Sequence, residues 1–587
     1  MRRFAALFGA TTLAATATLS GFFLGTALGS AVFGARSRRW RRPLRAFGLL
    51  ELGVGLGALL LFPLLELYRQ AYPYLYPRLS AWPVGFAAMK LLLAILAVGI
   101  PTFCMGGTLP ALGQAVAAAG DRLGVPVGGL YVANLLGAAA GTLAVPLALL
   151  PRLGLRGSYA AAVAGSLVVA GIACALGTLA PPVALSARMP ADGERPGGPP
   201  VPRSALALAA LSGLCTLALQ ASWTRMFALV HLNSQVAFAA VLCVFLAGLA
   251  GGGALARRAL RRGAAPRRLL ALAWLIAGML VAVSPHLFYR LSDGLAPLAP
   301  GDAWSSVREI LRLVVPITLP GTLALGTAVP LLLELASPGR GGLAGPAIGR
   351  ILAVNTLGAI AGPVLATFAL GPRLGLWGSL AALAGLLAFA AAWAGRTRAF
   401  GAAAAALLVA VVWTSRDEPP PVRVRTSAGE RFVSVREGVY GTTAVLADDH
   451  DRWITVNNSY VLGGAAAADE ERWQAHLPLL LHPSPRRVAF VGLGTGITAG
   501  AALHHAVGRV VALEIVPDVV EAARDDFADV NGGVVDDPRV TVVVDDGRNH
   551  LAAAPGDYDV IVGDLLVPWR PAEAPLYTRA HFESVRR

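Results

Sequence analysis

Long apolar runs recur near residues 5–34, 46–67, 84–106, 125–150 and 157–180, and again near 204–222, 228–256, 269–289, 308–336, 348–371, 374–394 and 399–414. About 30 Å of hydrocarbon takes roughly 20 helical residues to cross, so each run is a candidate span. Lipid offers the backbone no hydrogen-bond partner, and every crossing must therefore be a helix. After residue 414 the pattern changes. The stretch SRDEPPPVRVRTSAGE at 415–430 has prolines that exclude helix and charges that exclude lipid, which predicts a linker. Over 431–485 apolar and polar positions alternate, with turn signals at Asp448 to Asp451 and at Asn457 and Asn458. A small β-strand domain is expected there, its hairpins covering one edge of the next domain. From 486 to 587 short apolar strands alternate with helical segments, the pattern of a parallel α/β sheet.

The membrane part, 1–414, reads as two copies of one unit, 1–180 and 204–394, with an extra hydrophobic segment at 399–414. VANLLGAAAG at 132–141 matches AVNTLGAIAG at 353–362, and PRLGLRGS at 151–158 matches PRLGLWGS at 372–379. Gly25 and Gly29 correspond to Gly248 and Gly252, each GxxxG preceding an arginine-rich loop. Such glycines predict close helix packing. The run at 204–222 finds no counterpart before Met1, so the chain is expected to start inside an ancestral first half. Asn134 and Asn355 fall at equivalent positions and predict cross-helix hydrogen bonds rather than a transport site. Gln220, Arg225, His231 and Asn233 cluster near one helix boundary, whereas Glu51, Glu66 and Glu334 are scattered.

Composition agrees with an integral membrane protein: 56% of residues are hydrophobic, 14% are charged, and mean hydropathy is +0.63. The net charge of +15 comes almost wholly from arginine in short loops. That distribution reads as a topology signal and argues against nucleic acid as a partner. Cys104, Cys174, Cys215 and Cys243 lie in apolar runs without ligand spacing, and the histidines lack it too, so neither a disulfide framework nor a metal is expected. The positive-inside rule puts the loops at 35–45 and 257–268 in the cytoplasm. Read as an interfacial segment, 399–414 leaves the soluble part cytoplasmic as well; read as a crossing, it puts that part outside. The short, alanine-rich stretch favours the first reading, in a multi-pass protein of a bacterial-type inner membrane.

Chemistry concentrates at the ends of the α/β strands. RRVAFVGLGTG places Gly492, Gly494 and Gly496 where a ligand can approach the backbone. RVVALEI ends in Glu514, whose carboxylate can accept both ribose hydroxyls of a nucleoside. RVTVVVDDG ends in Asp546 and Gly547, an acceptor where an adenine amino group could lie, and YDVIVGD ends in Asp564. Charged hydrogen bonds of this kind contribute about 1.5 to 3 kcal/mol each.

HLPLLLHPSPRRVAFVGLGTG, VVALEIVPDVVEAAR, DPRVTVVVDDGRNHL, YDVIVGD and LYTRAHFESVRR occur in an order that resembles the spermidine and spermine synthases, the polyamine aminopropyltransferases, in their membrane-fused bacterial form. The helical body resembles the major-facilitator layout. The resemblance covers roughly 435–587. It implies transfer of an aminopropyl group from decarboxylated S-adenosylmethionine to a polyamine or related small amine, with S-adenosylmethionine itself as the alternative co-substrate. Asp564 is implied as the base, Gly492, Gly494, Thr495, Gly496, Glu514, Asp546 and Gly547 as the donor site, and Tyr440, Tyr460 and Tyr577 as a weak acceptor lining.

Three departures touch the substrate. Thr495 stands where the family's aspartate binds the donor amine, Val567 replaces the second acid of the DxxD pair, and Trp473 and Gln474 occupy the lead-in before HLPL. Only four strands can be read, which predicts an incomplete Rossmann-like domain of the S-adenosylmethionine-methyltransferase type, truncated at its C-terminus. Its open edge leaves room for a homo-oligomer. Two other functions stay open from the residues alone: a methyltransferase acting on a membrane-delivered substrate, and a transporter whose soluble domain senses a nucleoside.

Overall fold

The structure, a computed structural model, describes residues 12–79, 82–117, 123–180, 182, 201–231, 235–298, 303–336, 344–458, 460–553, 558–563 and 574–586. Ten helices are long and apolar enough to cross a membrane among them. Two of these exceed one crossing: Pro126–Leu179 has 54 residues and Ala344–Gly395 has 52. At 1.5 Å per residue each would be about 80 Å long if straight, more than twice the hydrocarbon thickness. Both break at a glycine, Gly154 with φ 64° and Gly375 with φ 69°, inside the repeated PRLGL motif. Positive φ is cheap only for glycine, so the repeat encodes a reversal between two spans.

The GxxxG pairs pack helices as expected. A Cβ on Gly29 of Thr12–Ser37 would strike the backbone of Phe103 in Pro83–Ala117, and one on Gly252 of Gln235–Arg261 would strike Leu323 in Ala303–Gly326. Asn355 Nδ2 donates to Ala209 O across helices at 3.0 Å, whereas Asn134 lies on an exposed face.

Both basic loops lie on one face of the body. Ser37 abuts Gly345 and Gly345 N donates to Gln114 Oε1, while Arg257 Nε donates to Val125 O, so the ends of five helices meet beside the two loops. The soluble part docks on the opposite face. Asn458 Nδ2 donates to Leu229 O at 3.0 Å and Leu295 O at 2.7 Å, one crossing away from the 257–268 loop in either direction. Residues Arg398–Thr414 form a helix packed against Pro266–Leu291 and Gly371–Gly395, and the chain leaves it at the docking face, where Asp417 O pairs with His286 Nε2 at 3.0 Å.

The strand unit is an antiparallel sheet in the order β1 (Arg431–Glu437), β2 (Thr442–Ala447), β3 (Arg452–Val456) and β4 (Tyr460–Gly464). Left-handed Asn457 and Asn458 make the β3–β4 turn. This sheet does not extend an edge of the next domain. It packs Val445 and Ile454 onto Ala522 and Phe527 of that domain's helices, and Arg436 and Arg452 pair with Asp525, Asp526 and Asp529 around the contact.

The second sheet is parallel, in the order β7 (Val540–Val544), β6 (Arg509–Glu514), β5 (Arg487–Val491) and β8 (Val560–Gly563). Alternation splits its core. Val488, Phe490, Val510 and Ala512 face the helix Ala468–Leu481, while Ala489, Val491, Val511 and Leu513 face Leu551. Neighbours of β5 leave it in opposite directions, so the turn after β5 sits at the switch point where such sheets bind ligands.

Candidate active site

The turn after β5 has Gly492 at φ 103°, Gly494 at φ 56° and Gly496 at φ 79°. A side chain on Gly494 would also press on Leu462 O of β4, 2.7 Å from an ideal Cβ, so the strand unit forms one wall of the crevice. Glu514 closes β6 and is 7% exposed. Its carboxylate accepts from Leu493 N at 3.1 Å, Ile515 N at 2.8 Å and Val516 N at 2.9 Å. Burial pushes this carboxyl above its ordinary value, against the downward pull of those N–H groups. A carboxylate has about four acceptor positions, so little capacity is left for ribose unless a backbone bond yields. Glu514 therefore also fixes the turn in place.

Asp546 lies beside it. Asp545 N donates to Glu514 O at 3.1 Å, and Asp546 Oδ1 caps the helix Gly547–Ala553 by accepting from Arg548 N at 3.0 Å and Asn549 N at 3.3 Å. The glycine turn, Glu514, Asp546 and Gly547 thus come together at adjacent strand ends. Asp564 and Val567 lie outside the described residues, as does Asn233, and the side chain of Tyr460 is likewise not described. Tyr440 sits in the β1–β2 turn, its carbonyl accepting from Asn457 Nδ2, and Tyr577 is 46% exposed.

Thr495 is buried, and its hydroxyl donates to Glu471 Oε2 at 2.5 Å; Glu471 Oε1 accepts from Gly464 N at 3.1 Å. Sequence reading missed Glu471. It opens an amphipathic helix in the run ADEERWQAHLPL, where three successive acids read as a solvated first turn. Its position puts a carboxylate beside the turn, on the Thr495 hydroxyl. Among the described residues no group of three or more metal-ligating side chains occurs.

Residues 470–587 match the spermine/spermidine synthase domain. A polyamine aminopropyltransferase of Pyrobaculum calidifontis is 38% identical over 172 residues, 28% of this chain and 55% of that protein. One of Mycobacterium tuberculosis is 26% identical over 411 residues, 65% of this chain and 74% of that protein, a stretch longer than everything after the last membrane helix. The chain spans about half the length of the archaeal relatives it matches, 55% and 47%. Spermidine synthase from Thermotoga maritima superposes with 23% identity and TM-score 0.24 over 27% of this chain and 52% of that one. The major facilitator superfamily transporter FucP gives 16% identity and TM-score 0.41 over 65% and 90%. Residues 470–587 are thus similar to a spermine/spermidine synthase domain, and they follow helices long and apolar enough to cross a membrane.

Proposed function

We propose that this protein is a membrane-bound aminopropyltransferase that moves an aminopropyl group from decarboxylated S-adenosylmethionine to a polyamine or related amine. The observation that carries this reading is the convergence of the glycine turn, Glu514 and Asp546 within the region that matches the synthase domain. In the reaction the acceptor nitrogen attacks the carbon next to the sulfonium. The C–N bond forms, the C–S bond breaks with its electron pair going to sulfur, and methylthioadenosine leaves. The nitrogen's surplus proton passes to a carboxylate, for which Asp564 is the candidate. Because the leaving group is already activated, holding donor and acceptor in line is the larger part of the task. The test is mass spectrometry of products from the full chain with either donor and a panel of amines. Addition of an aminopropyl unit supports the proposal; addition of a methyl unit makes the protein a methyltransferase.

We infer as well that the domain lies on the extracytoplasmic face, in place of the cytoplasmic expectation. Support comes from the helix Arg398–Thr414 together with docking opposite Arg36 to Arg45 and Arg257 to Arg268. Arginine costs about 2.5 to 3.5 kcal/mol at a bilayer centre and resists translocation. In intact cells an impermeant maleimide is expected to label Asp449→Cys and spare Arg262→Cys; the reverse pattern would return the domain to the cytoplasm.

A further inference from the structure

The membrane body reaches into the soluble domain at one polar contact. Tyr76, near the end of the helix Leu61–Leu79, donates its hydroxyl to Asp545 Oδ2 at 3.0 Å and lies 3.2 Å from His550 Nδ1. An ionised carboxylate only accepts, so the tyrosine proton goes to Asp545 and the bond from His550 must be donated by Nδ1–H. His550 Nε2 then meets the Tyr558 hydroxyl at 2.9 Å. The other oxygen of Asp545 accepts from Asp546 N at 2.8 Å. Tyr76 is thus linked through a single side chain to the backbone of the acid assigned to adenine.

Packing supports this link. Tyr68, Tyr72 and Tyr76 repeat every four residues, their rings 5.6 and 5.5 Å apart, and with Leu65 and Ala97 they bury Ala553 at the end of the helix that Asp546 caps. Tyr76 is itself only 6% exposed. The strand unit is held separately, by Arg225 pairing with Glu437 and by Asn458 on Leu229 and Leu295. One helix of the first repeat therefore holds the nucleoside turn, and the second repeat holds the opposite wall of the crevice.

We propose that Tyr76 is a positioning residue for the nucleoside site: through Asp545 it sets Asp546, and the membrane body thereby controls how tightly the soluble domain binds its donor. This rests on the reading of the crevice as a nucleoside site. The test is calorimetric titration of methylthioadenosine into the full chain in detergent. Tyr76→Phe is expected to raise the dissociation constant about threefold to tenfold, part of the effect of a hydrogen bond to a charged group. The melting temperature should stay at the parent value. Adding Tyr76→Phe to Asp545→Ala should produce no further loss, because both changes cut the same link. Tyr72→Phe, whose hydroxyl makes no hydrogen bond among the described residues, should bind as the parent does. Parent-like binding by Tyr76→Phe, or additive losses in the double variant, would overturn the proposal while leaving the crevice intact. A parent chain that binds no methylthioadenosine would overturn the crevice reading and this proposal with it.

Discussion

Glu471→Gln isolates the charge of a carboxylate beside the glycine turn that sequence reading missed. Glutamine keeps the shape: its Oε1 can still accept from Gly464 N, now at 3.1 Å, while its amide NH2 donates to the Thr495 hydroxyl, now at 2.5 Å, reversing that bond. What it removes is a full negative charge in a side chain 8% exposed. If that charge holds the ammonium of the aminopropyl group, the lost charge-assisted bond is worth about 1.5 to 3 kcal/mol, or about tenfold to 150-fold in affinity. Calorimetry should show this loss for decarboxylated S-adenosylmethionine. Methylthioadenosine, which has no ammonium, should bind within about twofold of its parent affinity, the difference a neutral, shape-matched replacement leaves. Equal losses for both ligands would refute the argument and reduce Glu471 to a brace for the turn.

Packing sets the other outcomes. Arg225→Met strands the Glu437 carboxyl, already pushed upward by burial with only the Arg225 guanidinium and the Thr442 hydroxyl foremost among the groups opposing it. Loss of one partner of a fully buried pair costs about 3 to 5 kcal/mol and of this part-buried pair less, so earlier proteolytic release of the soluble domain is expected. Gly252→Ala drives a methyl into the Leu323 backbone and should lower the melting temperature by an overpacking cost of about 1 to 3 kcal/mol, whereas the exposed Gly401→Ala should not. His505 sits 2.8 Å from His476, and its protonation is suppressed by burial first and by His476 and His504 next. The unfolded chain therefore binds a proton that the folded one refuses, and stability should be full above the ordinary histidine value and fall as pH drops below it. His505→Gln should flatten that acid limb in a denaturation series.

The membrane spans and the repeat were legible because hydrocarbon imposes length and composition on every crossing. Gly492, Gly494, Gly496, Glu514 and Asp546 were legible because a parallel sheet puts strand-end residues in one crevice. Three things were not. The role of Gly154 and Gly375 depends on a local φ that the repeated motif marks without explaining. Glu471 reaches the site through the packing of a helix that looks plainly amphipathic. Tyr76 meets Asp545 across 469 residues, and no local pattern encodes a contact between two domains. Length and alanine content likewise did not reveal that Arg398–Thr414 is packed against two other long apolar helices.

The most direct test is a structure of the full chain with methylthioadenosine bound. The nucleoside should lie over Gly492 to Gly496, with its ribose at Glu514 and its adenine at Asp546. Density elsewhere, or a crevice that stays empty at saturating ligand, would contradict the account.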